Sequence, residues 1–210
     1  MPYADCTISE YLKEAASDEP TPGGGSVSAL AGALASAMSE MAGNFTVGKD
    51  KYADVETDVR RCLKRLELSR QKLVTLADAD ANAYSGVGQA YSMPKETAEE
   101  KTARNDAIQH ALREAMSVPL NIMRQCATIA ETATELVEIA NPNLLTDVGV
   151  SAVLAEAACA AARLNVEINL KFLEDEDLVS EVRPELDELS DRTVRCRETV
   201  SDRMQDHLSG

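Results

Sequence analysis

SVSALAGALASAMSEMAGNF (Ser26–Phe45) is a run of twenty residues broken by a single charge, Glu40. Its length approaches the roughly 20 residues that a membrane-spanning helix needs. Its composition points elsewhere. Ala, Ser, Gly and Met dominate, large aliphatics are few, and Ala29, Ala33 and Ala37 recur every four residues, a spacing that lets helices approach closely. The run therefore reads as a buried helix of a soluble bundle rather than a transmembrane span. A second Ala-rich stretch, Asp147–Leu173, has the same character. A helix that is apolar all round is buried all round, and a chain of 210 residues has limited room for two. The pattern predicts a homodimer in which a second subunit completes the burial. A monomer built on a central helix pair is the alternative.

Working outward, Pro20-Thr-Pro-Gly-Gly-Gly-Ser26 breaks the chain ahead of this helix and offers Ser26 as its N-cap. Upstream, Thr7 with Glu10 three residues later is a capping-box signature for a short helix. Downstream, periodicity predicts helices from about Asp54 to Tyr91, and from Thr97 to Ala140 as one helix or two kinked at Pro119. The Asp147–Leu173 helix follows, and Pro184 opens a last amphipathic helix. No stretch alternates like a strand between turns. The expectation is an all-α fold, residues 1–210 forming a single domain, a bundle of about five or six helices with two buried Ala-rich members.

Aromatic residues make up 3% of the chain and Trp is absent, so Ala, Leu, Val, Ile and Met must build the core. A formal net charge of -15 argues against nucleic-acid partners and against docking on anionic membranes. Cys6, Cys62, Cys126, Cys159 and Cys196 form no CxxC pair and read as reduced thiols packed as small hydrophobes. His110 and His207 are too scattered for a metal site, so none is expected. No basic segment followed by an apolar stretch opens the chain, which makes a cytoplasmic location the default.

Several positions could carry chemistry. Leu73, Leu76, Ala77, Asp80, Ala83, Tyr84, Val87 and Tyr91 share one helical face. Asp80 is thus a carboxylate inside an apolar stripe, whereas Asp78 lies about 200° around the helix. Burial raises a carboxylate's pKa unless a cation or donors hold it charged, which suits a general acid or base. Asp80 could equally be a structural carboxylate bonding a helix end. Gly23, Gly24, Gly25 and Ser26 at a helix start could cradle an anion or simply form a tight turn. Lys49 and Lys95 follow helix ends and read as either surface charges or ligand cations. Asn165 and Asn169 lie one turn apart on the face that carries Ala158 and Ala162, where they could bond a ligand or a neighbouring helix. Asn143 and Asp147 sit at the start of that helix, where Asp147 suits the helix dipole.

Seven segments together resemble one family: Pro20–Ser26, Thr46-Val-Gly-Lys49, Asp80-Ala-Asn-Ala-Tyr84, Met93-Pro-Lys95, Asn141-Pro-Asn143, Asp147-Val-Gly-Val150 and Asn165-Val-Glu-Ile-Asn169. They look like the cyclodeaminase domain of formiminotransferase-cyclodeaminase and its stand-alone relatives, which include methenyltetrahydrofolate cyclohydrolase. The resemblance runs from about residue 7 to residue 205 and has no counterpart of the formiminotransferase domain. It implies an all-α homodimer that binds a reduced folate as substrate near the subunit interface, with no prosthetic group and no metal. It also implies a catalytic aspartate in the segment matching Asp80–Tyr84, which the helical face assigns to Asp80. Two reactions fit. One is hydrolysis of 5,10-methenyltetrahydrofolate to 10-formyltetrahydrofolate; the other is cyclodeamination of 5-formiminotetrahydrofolate to the methenyl compound and ammonia. A non-catalytic folate-binding or interaction bundle is the reading from another class. The remaining substrate-binding candidates follow from motif position: Gly23, Gly24, Gly25, Ser26, Lys49, Lys95, Asn143, Asp147, Asn165 and Asn169.

Overall fold

Capping residues start two helices where the sequence places them. Thr7 and Glu10 close a reciprocal box at α1 (Ile8–Ala15), and Thr97 and Glu100 close another at α4 (Ala98–Ile139). The computed structural model describes residues 2–209, which form six α-helices, three short 3-10 turns and no strand. The remaining helices are α2 (Gly24–Asn44), α3 (Glu56–Tyr91), α5 (Leu145–Leu170) and α6 (Glu176–Ser209).

Two expected boundaries shift. The N-cap of α2 is Gly23, not Ser26, which lies in the first turn. Pro184 does not open α6 but sits inside it. The helix begins earlier because the Asp175 carboxylate accepts the Leu178 N–H at 3.0 Å, and Glu176 and Asp177 favour the positive helix start. Helix α4 runs unbroken through the buried Pro119.

The long helices form two layers. Helices α3, α4 and α6 lie side by side, with α2 over α3 and α4 and α5 over α4 and α6. Helices α2 and α5 run antiparallel, with the Ser39 and Ser151 hydroxyls hydrogen-bonded at 2.7 Å between them. One hydrophobic core joins the layers, and Leu66, Leu73, Ile129 and Leu136 are fully buried in it. The segment Pro142–Leu170 is long and apolar enough to cross a membrane by length and composition, but its inner face carries Val148, Ala155, Ala162 and Val166 into this core.

Among the described residues of the single chain, α2 and α5 are not covered on every face. Each buries one side and leaves an apolar stripe exposed: Val27, Leu30, Leu34 and Phe45 on α2, and Val150, Val153, Leu164 and Ile168 on α5. None of the described residues covers this face of the upper layer. The cysteines are all free; burial, helped by the neighbouring Glu135, pushes the Cys62 thiol up to about 11.

Replacing Leu136 by Ala removes a fully buried side chain and is expected to cost about 2–5 kcal/mol, measured as a lower urea midpoint with an unchanged slope.

Candidate active site

The start of α2 has unpaired backbone donors and no side chain to cap them, because its N-cap is a glycine. Helix α3 supplies the partner. The Ser26 N–H donates to Asp80 Oδ2 at 3.0 Å. The approach is possible only because Gly25 is bare: a Cβ there would lie 1.9 Å from Asp80 Oδ1. The Ser26 hydroxyl turns the other way and hydrogen-bonds the Tyr11 hydroxyl at 3.0 Å, inside the protein. Gly25 and Ser26 therefore hold the carboxylate rather than line a ligand space.

Asp80 is half-buried, not fully enclosed. Burial raises its pKa above the usual carboxylate value, opposed by the Ser26 N–H. Asp78 lies on another side of α3, where Oδ1 accepts the Tyr3 N–H at 2.7 Å beside a separate acidic hollow. The helical-face argument thus separates the two aspartates as the structure does.

Asp80 lies on the wall of a cleft of about 570 Å3 between the start of α2, the C-terminal turns of α3, the middle of α4 and the end of α5. Gly23, Gly24, Asn165 and Asn169 line it. Asn165 Nδ2 donates to the Ala161 carbonyl at 3.0 Å, and Asn169 Nδ2 to the Asn165 carbonyl at 2.7 Å. With the amide hydrogens turned to the helix, both side-chain carbonyls are left for a ligand's donors. Gly24 packs against Asn165, where a Cβ would meet the amide at 3.1 Å.

The other sequence candidates are not in this cleft. Lys95 is exposed in the turn between α3 and α4, beyond Tyr91. Lys49, Asn143 and Asp147 lie at the opposite end of the α2/α5 pair. There the Asn141 N–H donates to Thr46 Oγ1 at 2.9 Å, and Asn141 Oδ1 accepts the Asn143 N–H at 3.2 Å. The 21 residues of α2 put about 30 Å between that end and Asp80. Sequence order placed these motifs near helix ends without showing which ends meet.

Three aromatic residues were missed as site residues. Tyr84, Tyr91 and Phe172 line the cleft and stay 55%, 46% and 50% exposed. The chain has five Tyr and two Phe, so three of its seven rings of these types meet at this one cleft. The available signal was the apolar stripe of α3, which continues to Tyr91 after the core has ended.

The formiminotransferase-cyclodeaminase family model matches residues 7–188. The chain belongs to this family. It is 40% identical over 183 residues to the methenyltetrahydrofolate cyclohydrolase of Methylorubrum extorquens, covering 87% of this chain and 88% of that protein. It is 31% identical over 185 residues to the rat formimidoyltransferase-cyclodeaminase, covering 88% of this chain but only 34% of the rat protein. The chain thus spans about a third of the length of that relative. Its fold matches the crystal structure of a formiminotetrahydrofolate cyclodeaminase from Thermotoga maritima with a TM-score of 0.88 and 34% identity over 98% of both chains. These relatives bear the names of enzymes.

Gly25→Ala places a methyl group on the Asp80 carboxylate and is expected to lower the activity of the family-type site by about a hundredfold, as ångström-scale misplacement of a catalytic group does, with the helical circular dichroism retained.

Proposed function

We propose that this protein hydrolyses 5,10-methenyltetrahydrofolate to 10-formyltetrahydrofolate, with Asp80 as the general acid and base. One observation carries the reading: a carboxylate with a raised pKa is fixed by the Ser26 N–H on the wall of a cleft lined with aromatic rings and amide carbonyls. Such a cleft suits a flat, donor-rich ring system. The 40% identity to a cyclohydrolase of similar length favours hydrolysis. The 0.88 TM-score to a cyclodeaminase keeps cyclodeamination as the second reading, because that reaction also needs a base and then an acid.

The steps follow from one carboxyl group used twice. Water attacks the methenyl carbon while Asp80 takes a proton, forming the C–O bond. The C–N5 bond then breaks, and protonated Asp80 returns the proton to the departing nitrogen. The remaining hydroxyl proton leaves to solvent as the formyl carbonyl forms. A pKa raised by burial keeps both forms of the carboxyl accessible. Asn165 and Asn169 would accept hydrogen bonds from the ring, and Tyr84 would stack on it.

The uncovered face of α2 and α5 supports a homodimer. No exposed residue of either helix is charged. Two adjacent helices of this length present roughly 30 by 20 Å, on the order of 600 Å2 per protomer, enough for a specific interface of about 1,200 Å2 in total. Ile168 belongs both to this face and to the cleft, so the site borders the interface. Lys49, Asn143 and Asp147 could reach a cleft only from a second copy docked antiparallel.

Wild-type protein is expected to bleach the near-ultraviolet absorbance of methenyltetrahydrofolate; production of that absorbance from 5-formiminotetrahydrofolate would support the second reading. kcat/KM should fall as pH drops through the Asp80 pKa, which burial holds above its ordinary value. Asp80→Asn should abolish turnover. Because the native state favours the protonated carboxyl, ionisation costs stability as pH rises through the folded pKa. The Asn variant should therefore melt no lower than wild type at pH 7. A lower melting temperature with activity retained would make Asp80 a helix cap only.

Leu34→Glu puts a charge in the middle of the exposed stripe and is expected to convert a sedimenting dimer into monomers.

A further inference from the structure

A reduced folate ends in glutamyl carboxylates, yet no Lys or Arg is among the residues lining the cleft. Two cations stand at its mouth on the backs of its own aromatic walls. Arg104 of α4 stacks on Tyr91, its Cζ 5.5 Å from the ring centroid, and donates Nε and Nη2 to the Tyr91 carbonyl at 3.2 and 3.0 Å. Lys171, just past α5, holds Nζ 5.6 Å from the Phe172 centroid.

The pairing pattern sets Arg104 apart. Of the thirteen arginines, eleven have a carboxylate within 4.0 Å among the described residues; Arg104 and Arg195 do not. In a chain with 36 acidic residues against 21 basic, a guanidinium anchored to a carbonyl and left without a carboxylate has unused donors. Two of its five N–H groups serve Tyr91, and the rest can receive a carboxylate. Nearby carboxylates are already engaged: Asn105 donates to Glu174 Oε2 at 3.1 Å, and Asp175 pairs with Arg113 at 2.8 Å. Gln109 then fixes the Phe172 turn, donating to the Phe172 carbonyl at 3.2 Å and accepting the Glu174 N–H at 2.9 Å.

We propose that Arg104 and Lys171 form the carboxylate-binding end of the cleft and hold the glutamyl tail of the reduced folate. This rests on the folate reading above. Eleven residues of α3 separate Asp80 from Tyr91, about 16 Å of helix, so the cations stand at the far end from the chemistry, where the tail of an extended substrate lies. Both are positioning residues for the substrate, not participants in proton transfer.

The test compares KM for methenyltetrahydrofolate with KM for an analogue that ends in an aminobenzamide and so carries no carboxylate. Arg104→Gln and Lys171→Gln should each raise KM for the glutamyl substrate by about tenfold, the loss of one charge-assisted contact, with much smaller change in kcat. The variant-to-wild-type KM ratio should fall toward one on the analogue. Arg195→Gln, on α6 away from the cleft, is the control. Equal KM increases on both substrates would mean that Arg104 acts only by holding Tyr91, and unchanged KM values would mean that the tail lies elsewhere; either overturns the proposal. If the wild-type protein converts and binds no reduced folate, the parent reading fails and this one with it.

Discussion

Helix α2 meets α3 at a point where a backbone donor needs a partner and a carboxylate needs a donor. The Ser26 N–H and Asp80 satisfy each other, and the missing side chain at Gly25 lets them touch. This contact fixes the entry angle of α2, leaves the carboxylate half-exposed on the cleft wall and places it in the positive field of a helix start. Burial nonetheless raises its pKa. Desolvation is the larger influence on this carboxylate and the Ser26 N–H the smaller, opposing one. In the proposed reaction the same atoms would serve stability and chemistry, so catalysis at Asp80 and capping by Asp80 must be separated by activity and melting measured on one variant.

Around this contact the protein divides labour between two layers. Helices α3, α4 and α6 carry most of the large side chains, among them Leu66, Leu73, Ile129, Leu136 and Leu186. Helices α2 and α5 are built from small residues on their inner faces, which brings backbones close and lets Ser39 bond Ser151. Their outer faces carry Val27, Leu34, Val153 and Leu164 with no charge between them. A monomeric soluble protein rarely leaves a continuous apolar surface of that extent. The cleft opens at one edge of this face, where Ile168 belongs to both.

The acidic balance is managed by pairing. Arginines of α3 and α6 clamp carboxylates on neighbouring helices, as Arg70 does with Glu40 and Arg197 with Glu156. These partly exposed pairs contribute little each, but among the described residues they leave only two arginines, Arg104 and Arg195, without a carboxylate. Arg104 is uncommitted and rests on a ring of the cleft. A protein with this much negative charge attracts an anionic ligand only where it keeps such a cation in reserve.

The sequence alone determined the run of long helices, the cap at Thr7 and the separate helical faces of Asp80 and Asp78, because 3.6-residue periodicity and capping are local properties. It also determined the family, through several short motifs in one order. It placed Asp80 more deeply than the structure does, since a stripe continuous with Leu73 and Ala77 says nothing about where the core stops. Only the tertiary structure decided that the stripe beyond Ala77 becomes a cleft wall, that Phe172 and Arg104 join it, and that Lys49, Asn143 and Asp147 gather at the other end. Those outcomes depend on which helix ends meet across the bundle. Helix direction and packing offset set that relation, and no periodicity within a single helix encodes it.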